Sequence, residues 1–231
     1  MRQIKIGAAA LAAFAVLAAC GNDSEAPADS GSAGDEQPGS TTPPDYQTLR
    51  DDGGGIEPGR WAVRAEGPAE APLAVFDVPE GFNGGGPYIW TNKPWAVIGY
   101  WTVDAVYDDP CSDSGSAPPL GDTVEDLADA LAAQKVTTTT PAAPVSVGGH
   151  DGLFLELSTP ADFDYGRCHQ DGLHLWGDRP AIGEPVVDRY WILDVDGQRV
   201  MIFVARGPKA PAETVQLFSG IVKGATFVEA G

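Results

Sequence analysis

The sequence predicts an α+β domain: a largely antiparallel sheet, two helices packed on one face, and one disulfide. Three observations carry this reading. Short apolar runs with period-2 alternation recur through the C-terminal three quarters of the chain. Two segments, and only two, show helical spacing behind a start signal. Cys111 and Cys168 form an even pair once Cys20 has been given a separate role.

The elements follow in order. Trp61 to Ala65 and Leu73 to Val78 read as short strands. Ala96 to Tyr107 reads as a longer one, with Val97, Trp101, Val103, Ala105 and Tyr107 on one side of the pleat. Thr123-Val124-Glu125-Asp126 has the form of a capping box, and Val124, Leu127, Ala128 and Leu131 continue it at helical spacing. Leu153, Leu155 and Leu157 alternate with Phe154 and Glu156, the pattern of a half-buried strand.

The clearest hairpin is Tyr190 to Arg206, with Asp196-Gly197 at its tip. A two-residue turn there puts Trp191, Leu193 and Val195 on one face with Val200, Ile202 and Val204. It also sets Asp194 opposite Arg199, as a cross-strand ion pair of about 0.2–1 kcal/mol. Pro211 opens the second helix, with Val215, Phe218, Ile221 and Val222 at its apolar positions, and Thr226 to Glu229 returns as a closing strand. Strands interrupted by separate helices, without a repeating βαβ unit, give the α+β class.

The N-terminal segment says where the chain resides. Arg2 and Lys5 precede an uncharged run from Ile6 to Ala19. That run is shorter than the roughly 20 residues needed to span a bilayer. It ends in small residues, as cleaved signals do. Leu17-Ala18-Ala19-Cys20 has the lipobox form, and on these residues the chain resembles bacterial lipoprotein precursors. The resemblance implies cleavage before Cys20 and thioether lipidation of its sulfur with acyl chains of the palmitate type. It also implies a mature protein held to the membrane on its extracytoplasmic side. The expected organisation is a signal peptide over 1–19, a lipidated tether over 20–58 and one domain over 59–231. The tether is rich in Gly, Ser, Pro and acidic residues, too poor in apolar surface to fold. Its reach as a flexible chain is about 35 Å.

Composition excludes some partners. The chain has 33 acidic and 14 basic residues. Loss of Arg2 and Lys5 with the leader leaves 12 cations against 33 anions, a net charge near −21. Such a surface repels phosphate backbones, so nucleic acid is not an expected partner. It also repels anionic headgroups, leaving the anchor at Cys20 as the expected membrane contact. Outside the cytoplasm Cys111 and Cys168 are expected to pair. Their loop counts 58 residues with both ends, which corresponds to about 4 kcal/mol on chain-entropy grounds.

A second resemblance involves the domain itself. The patches Val106-Tyr107-Asp108-Asp109-Pro110-Cys111, Val147-Gly148-Gly149-His150-Asp151-Gly152 and Asp194-Val195-Asp196-Gly197-Gln198, with the helix between the first two, resemble an actinomycete family of secreted domains without a settled activity. The order of elements is similar to PsbP-like domains, which implies a binding or assembly module.

Chemistry-bearing residues are sparse. His150-Asp151 and the pair His169 and His174 are the only groupings that point to catalysis or metal binding. The latter spacing fits no metal signature, and Asp171-Gly172 between them reads as a turn. Ser146 and Ser158 lack a nucleophile elbow. Asp104, Asp108, Asp109 and Asp113 cluster, as do Asp162 and Asp164, without the distal Glu of a calcium loop. Gly53-Gly54-Gly55 and Gly84-Gly85-Gly86 lack the ending of a phosphate loop and read as flexible connections. No metal or cofactor is expected.

The aromatic residues are the one surface feature that points to a ligand. Tyr88, Trp90, Trp95, Tyr100 and Trp101 crowd together. Rings in such a cluster either fill a core or bind a partner. Asn92-Lys93-Pro94 reads as a turn between Trp90 and Trp95, so Tyr88, Trp90 and Trp95 are the candidate binding residues. The expected function is a lipid-anchored, extracytoplasmic binding module for an envelope protein or a small ligand. The alternative is a secreted hydrolase or metal-dependent enzyme built on His150/Asp151 or His169/His174.

Overall fold

The Asp196-Gly197 hairpin organises the molecule. Both residues have positive φ, 54° and 82°, the combination a type I′ turn requires. Asp194 Oδ1 accepts the Gly197 amide at 2.7 Å and fixes the turn. The structure is a computed structural model and describes residues 45–67, 70–112, 119–177 and 179–230. The signal segment, Cys20, most of the tether and Asp113 lie outside the described residues.

In chain order the strands are β1 (Gln47–Thr48), β2 (Gly54–Gly55), β3 (Gly59–Val63), β4 (Leu73–Val78), β5 (Asn83–Gly85), β6 (Tyr88–Asn92) and β7 (Trp95–Trp101). After helix α1 (Val124–Ala133) come β8 (Thr138–Thr139), β9 (Ala143–Val147), β10 (His150–Ser158), β11 (Val187–Val195) and β12 (Gln198–Arg206). Helix α2 (Ala212–Lys223) and β13 (Thr226–Val228) close the chain. The main sheet runs β2-β5-β6-β7-β12-β11-β10-β8, with β9 also paired to β10. A smaller sheet runs β1-β3-β4-β13. Every strand pair is antiparallel except β1 with β3.

The main sheet is buried on both faces, and the alternation of β12 shows how. Val200, Ile202 and Val204 join Trp191, Leu193 and Val195 in one apolar cluster. Met201, Phe203 and Ala205 join Tyr190, Ile192, Leu155 and Leu157 in another. Successive side chains of a strand point to opposite faces, so the two clusters lie on the two sides of one sheet. The first cluster holds Phe218, Ile221 and Val222 of α2 together with Ala74, Phe76 and Val78 of β4. The second holds Leu127 and Leu131 of α1. The helices therefore cover opposite faces, against the expectation of a shared one. The closing strand β13 joins the smaller sheet instead of the main one, which turns α2 toward the first cluster.

Both helices start where their sequences indicate. Thr123 Oγ1 accepts the Asp126 amide at 3.1 Å, and Asp126 Oδ2 accepts the Thr123 amide at 2.9 Å, a closed capping box. Val124, Leu127, Ala128 and Leu131 are buried. In α2 Thr214 is buried where Val215 is half-buried, so the apolar stripe is rotated slightly from its expected line.

Four expectations are corrected. Residues 45–58, assigned to the tether, carry β1 and β2, and Leu49 and Ile56 pack on the first cluster. Most of the two glycine runs is sheet, Gly53 and Gly86 lying just outside the strands: Gly54 pairs with Gly84 and Gly55 with Asn83. A Cβ on Gly85 would lie 2.5 Å from Gly53 Cα, so glycine is required by close backbone approach. The strand expected over Ala96 to Tyr107 ends at Trp101, because the following residues leave the sheet to meet the loop around Trp176, Val106 bridging Trp176 itself. Asp194 and Arg199 stand in register but form no ion pair. Asp194 caps the turn, while Arg199 donates to the carbonyl oxygens of Val103 (2.6 Å), Thr123 (2.9 Å) and Gly121.

The Cys111–Cys168 disulfide is formed, with Cα atoms 4.6 Å apart. It ties the loop after β7 to the loop after β10. Among the described residues, no helix is long and apolar enough to cross a membrane.

Candidate functional site

Strand parity assembles the aromatic site. On β6, Tyr88 and Trp90 point to the face opposite Ile89, which is buried in the first cluster. On β7, Trp95 and Val97 point the same way as Trp101, which is buried in the second. Register places Trp90 beside Val97 and Asn92 beside Trp95. The hairpin turn at Lys93-Pro94 has a cis bond, and Thr91 Oγ1 donates to the Pro94 carbonyl at 2.7 Å. The three candidate residues thus share one sheet face, but at different depths. Trp95 is exposed at 42%. Trp90 is half-buried, less open than its place beside the turn predicts, with its ring against Gly53. Tyr88 is half-buried, its ring tilted on Trp101 and edge-on to Phe203.

Two concavities meet at Trp95. One, of about 220 Å³, is lined by Tyr88, Trp95, Val97, Arg179, Phe203 and the loop from Pro180 to Val186. The other, of about 580 Å³, lies between Trp95, Pro94, Glu184, Pro185 and the segment Gly207 to Pro211. Phe203 lines the floor of the first, and its ring occupies the space that a Cβ on Gly99 would need.

A buried polar network underlies this floor. Arg179 Nη1 donates to Asp188 Oδ2 at 2.5 Å and to the Tyr190 hydroxyl at 3.2 Å, and that hydroxyl donates to Asp188 Oδ2 at 2.7 Å. The guanidinium also lies over the Trp176 ring at 4.2 Å and the Phe203 ring at 4.8 Å. Burial opposes the Arg179 charge, but Asp188 and Tyr190 outweigh it and hold the group protonated above its ordinary range. Burial, with Asp188 beside it, pushes the Tyr190 phenol well up, so it remains a donor. Burial likewise raises Tyr88, and the nearby Arg179 charge partly offsets this.

The histidine groupings fare differently. His150 and Asp151 are neighbours on β10 and diverge to opposite faces. His150 meets the Phe227 ring edge-on at 5.2 Å. Asp151 lines a separate groove with Asp122, Asp194 and Arg199. His169 and His174 do come together, with ring centroids 5.7 Å apart. The chain does turn between them, but over His169–Asp171, with positive φ at Gln170 and Asp171, while Gly172 of the expected Asp171-Gly172 pair is extended. Among the described residues no three His, Cys, Asp or Glu side chains are grouped to hold a metal.

Sequence reasoning finds the rings of the site but not its charged groups. Arg179 and Glu184 lie far downstream in a stretch without periodicity, and only tertiary packing brings them to Trp95. No protein-family model matches the chain, and no curated protein matches it.

Proposed function

We propose that this chain is a lipid-anchored, extracytoplasmic binding module, with the face around Trp95 as its contact site. The observation that carries the reading is the placement of Trp95. Among the described residues the large apolar side chains left exposed are Trp95 at 42% and Leu217 at 45%. Trp95 alone of the two stands between two concavities with further rings behind it. A large ring held rigidly on a hairpin offers contact area at little entropic cost. The lipobox at Cys20 and the oxidised cysteine pair support an address outside the cytoplasm. The resemblance to secreted and PsbP-like domains supports a role in binding or assembly, and the acidic surface supports partners other than nucleic acid.

The test is site-specific photo-crosslinking in whole cells. A photoreactive residue at position 95 is expected to give a discrete adduct that the same residue at position 217 does not. Identical adduct patterns at the two positions contradict the reading.

A further inference from the structure

We infer that the cavity between Trp95 and Arg179 binds a small monocarboxylate with an apolar body. This rests on the reading of the domain as a binding module and narrows its ligand class.

Arg179 is the reason for the acid. It is only 7% exposed, yet it lines the cavity. Its guanidinium carbon packs against the rings of Trp176 and Phe203, which stand edge-to-face beside each other. Both of its side-chain hydrogen bonds leave from Nη1. The opposite edge, Nε with Nη2, has no hydrogen-bond partner among the described residues. That edge is a planar fork whose two N–H groups match the two oxygens of a carboxylate. A charge-assisted pair of bonds is stronger in an interior of low dielectric than in water.

The remaining walls define the rest of the ligand. Tyr88, Trp95, Val97, Ile182, Phe203 and Ala205 offer ring and aliphatic surface. The volume of about 220 Å³ equals that of about seven liquid waters at about 30 Å³ each, room for roughly ten non-hydrogen atoms. Charge limits the number of acid groups. Glu184 is exposed and lines the same cavity, and the whole chain carries a net charge of −19. Both disfavour a second negative charge. One carboxylate on an aryl or short alkyl body is the class that meets all of these conditions.

The experiment is an NMR titration of the full chain with benzoate, and with benzamide and phthalate as the neutral and dianionic comparisons. Benzoate is expected to give a saturable shift of the Trp95 indole N–H and the Arg179 Nε–H. Benzamide and phthalate are expected to bind about tenfold more weakly or worse. Trp95→Ala should weaken benzoate binding severalfold. Arg179→Lys keeps the charge but loses the fork, and should weaken it about tenfold. Because that variant also disturbs a buried ion pair, Val97→Phe, which fills the cavity and leaves the pair intact, serves as the second variant and should abolish binding. Benzamide binding as tightly as benzoate overturns the proposal, as does benzoate binding that survives both Trp95→Ala and Val97→Phe. Absence of any benzoate shift up to about 20 mM, with position 95 still capturing a ligand in cells, overturns the carboxylate assignment and leaves the binding module standing. Silence in both experiments overturns the two together.

Discussion

Arg179 and Asp188 face each other in the interior, Nη1 to Oδ2 at 2.5 Å, with side chains 7% and 0% exposed. Asp188 Oδ1 has no hydrogen-bond partner, so the carboxylate depends on this single arginine and on Tyr190 for its compensation. Removing one member of such a pair leaves the other charged and buried. Asp188→Ala is expected to lower unfolding stability by about 3–5 kcal/mol, and Tyr190→Phe by about 1 kcal/mol. The double variant Arg179→Met/Asp188→Leu should recover most of the larger loss. Urea denaturation checks all three, and a loss below about 1 kcal/mol for Asp188→Ala contradicts the role assigned to the pair.

Gly99 and Phe203 share one volume. A Cβ at position 99 would lie 2.3 Å from Phe203 Cε1. The Phe203 ring is itself held by Tyr88, Trp176 and Tyr190, so it has little room to yield. Gly99→Ala should destabilise by about 1–3 kcal/mol and alter the near-ultraviolet circular dichroism of the ring cluster. An unchanged spectrum and midpoint would contradict this packing.

The capping box of α1 is sensitive to pH. The Thr123 backbone amide and then its hydroxyl hold the Asp126 carboxyl below its ordinary range. A carboxyl lowered on folding stabilises the fold above its unfolded pKa of about 3.9, and that stabilisation is lost as pH falls through the lower folded value. Thr123→Ala should cost about 1 kcal/mol at neutral pH, and the gap between wild type and Asp126→Asn should close as pH drops below about 4. Thermal melts at several pH values check this; a gap that widens on acidification has the wrong sign.

Much of the architecture is legible in the sequence, and the failures have identifiable causes. The β11–β12 hairpin is legible because Asp196-Gly197 fixes register locally, which then assigns every side chain to a face. Helix α1 is legible because Thr123 and Asp126 are a local pair. The faces occupied by α1 and α2 are not legible, because each helix has one apolar stripe and either side of a doubly buried sheet accepts it. Strands β2 and β5 are hidden because their pairing residues are three glycines and Asn83, which leave no apolar signature. The site divides in the same way. Tyr88, Trp90 and Trp95 are neighbours in sequence, whereas Arg179 joins them through the fold alone.

Cys111 and Cys168 join two loops that cover the second apolar cluster. Their removal frees a long loop in the unfolded chain. The Cys111→Ala/Cys168→Ala variant should lose about 2–4 kcal/mol and show a lower melting midpoint than the oxidised protein. Wild type under reducing conditions should approach the variant. Equal stability of all three forms contradicts a structural role for the bond.

The account depends most on the sulfur of Cys20, and the direct measurement is membrane fractionation of the wild-type chain and a Cys20→Ser variant, with intact mass recorded on each. Wild type is expected in the membrane fraction, starting at residue 20 and heavier than its polypeptide by an acylated glycerol. The variant is expected to lack that mass and to leave the membrane. An unmodified Cys20 in the wild type, or a variant that stays with the membrane as wild type does, contradicts the account.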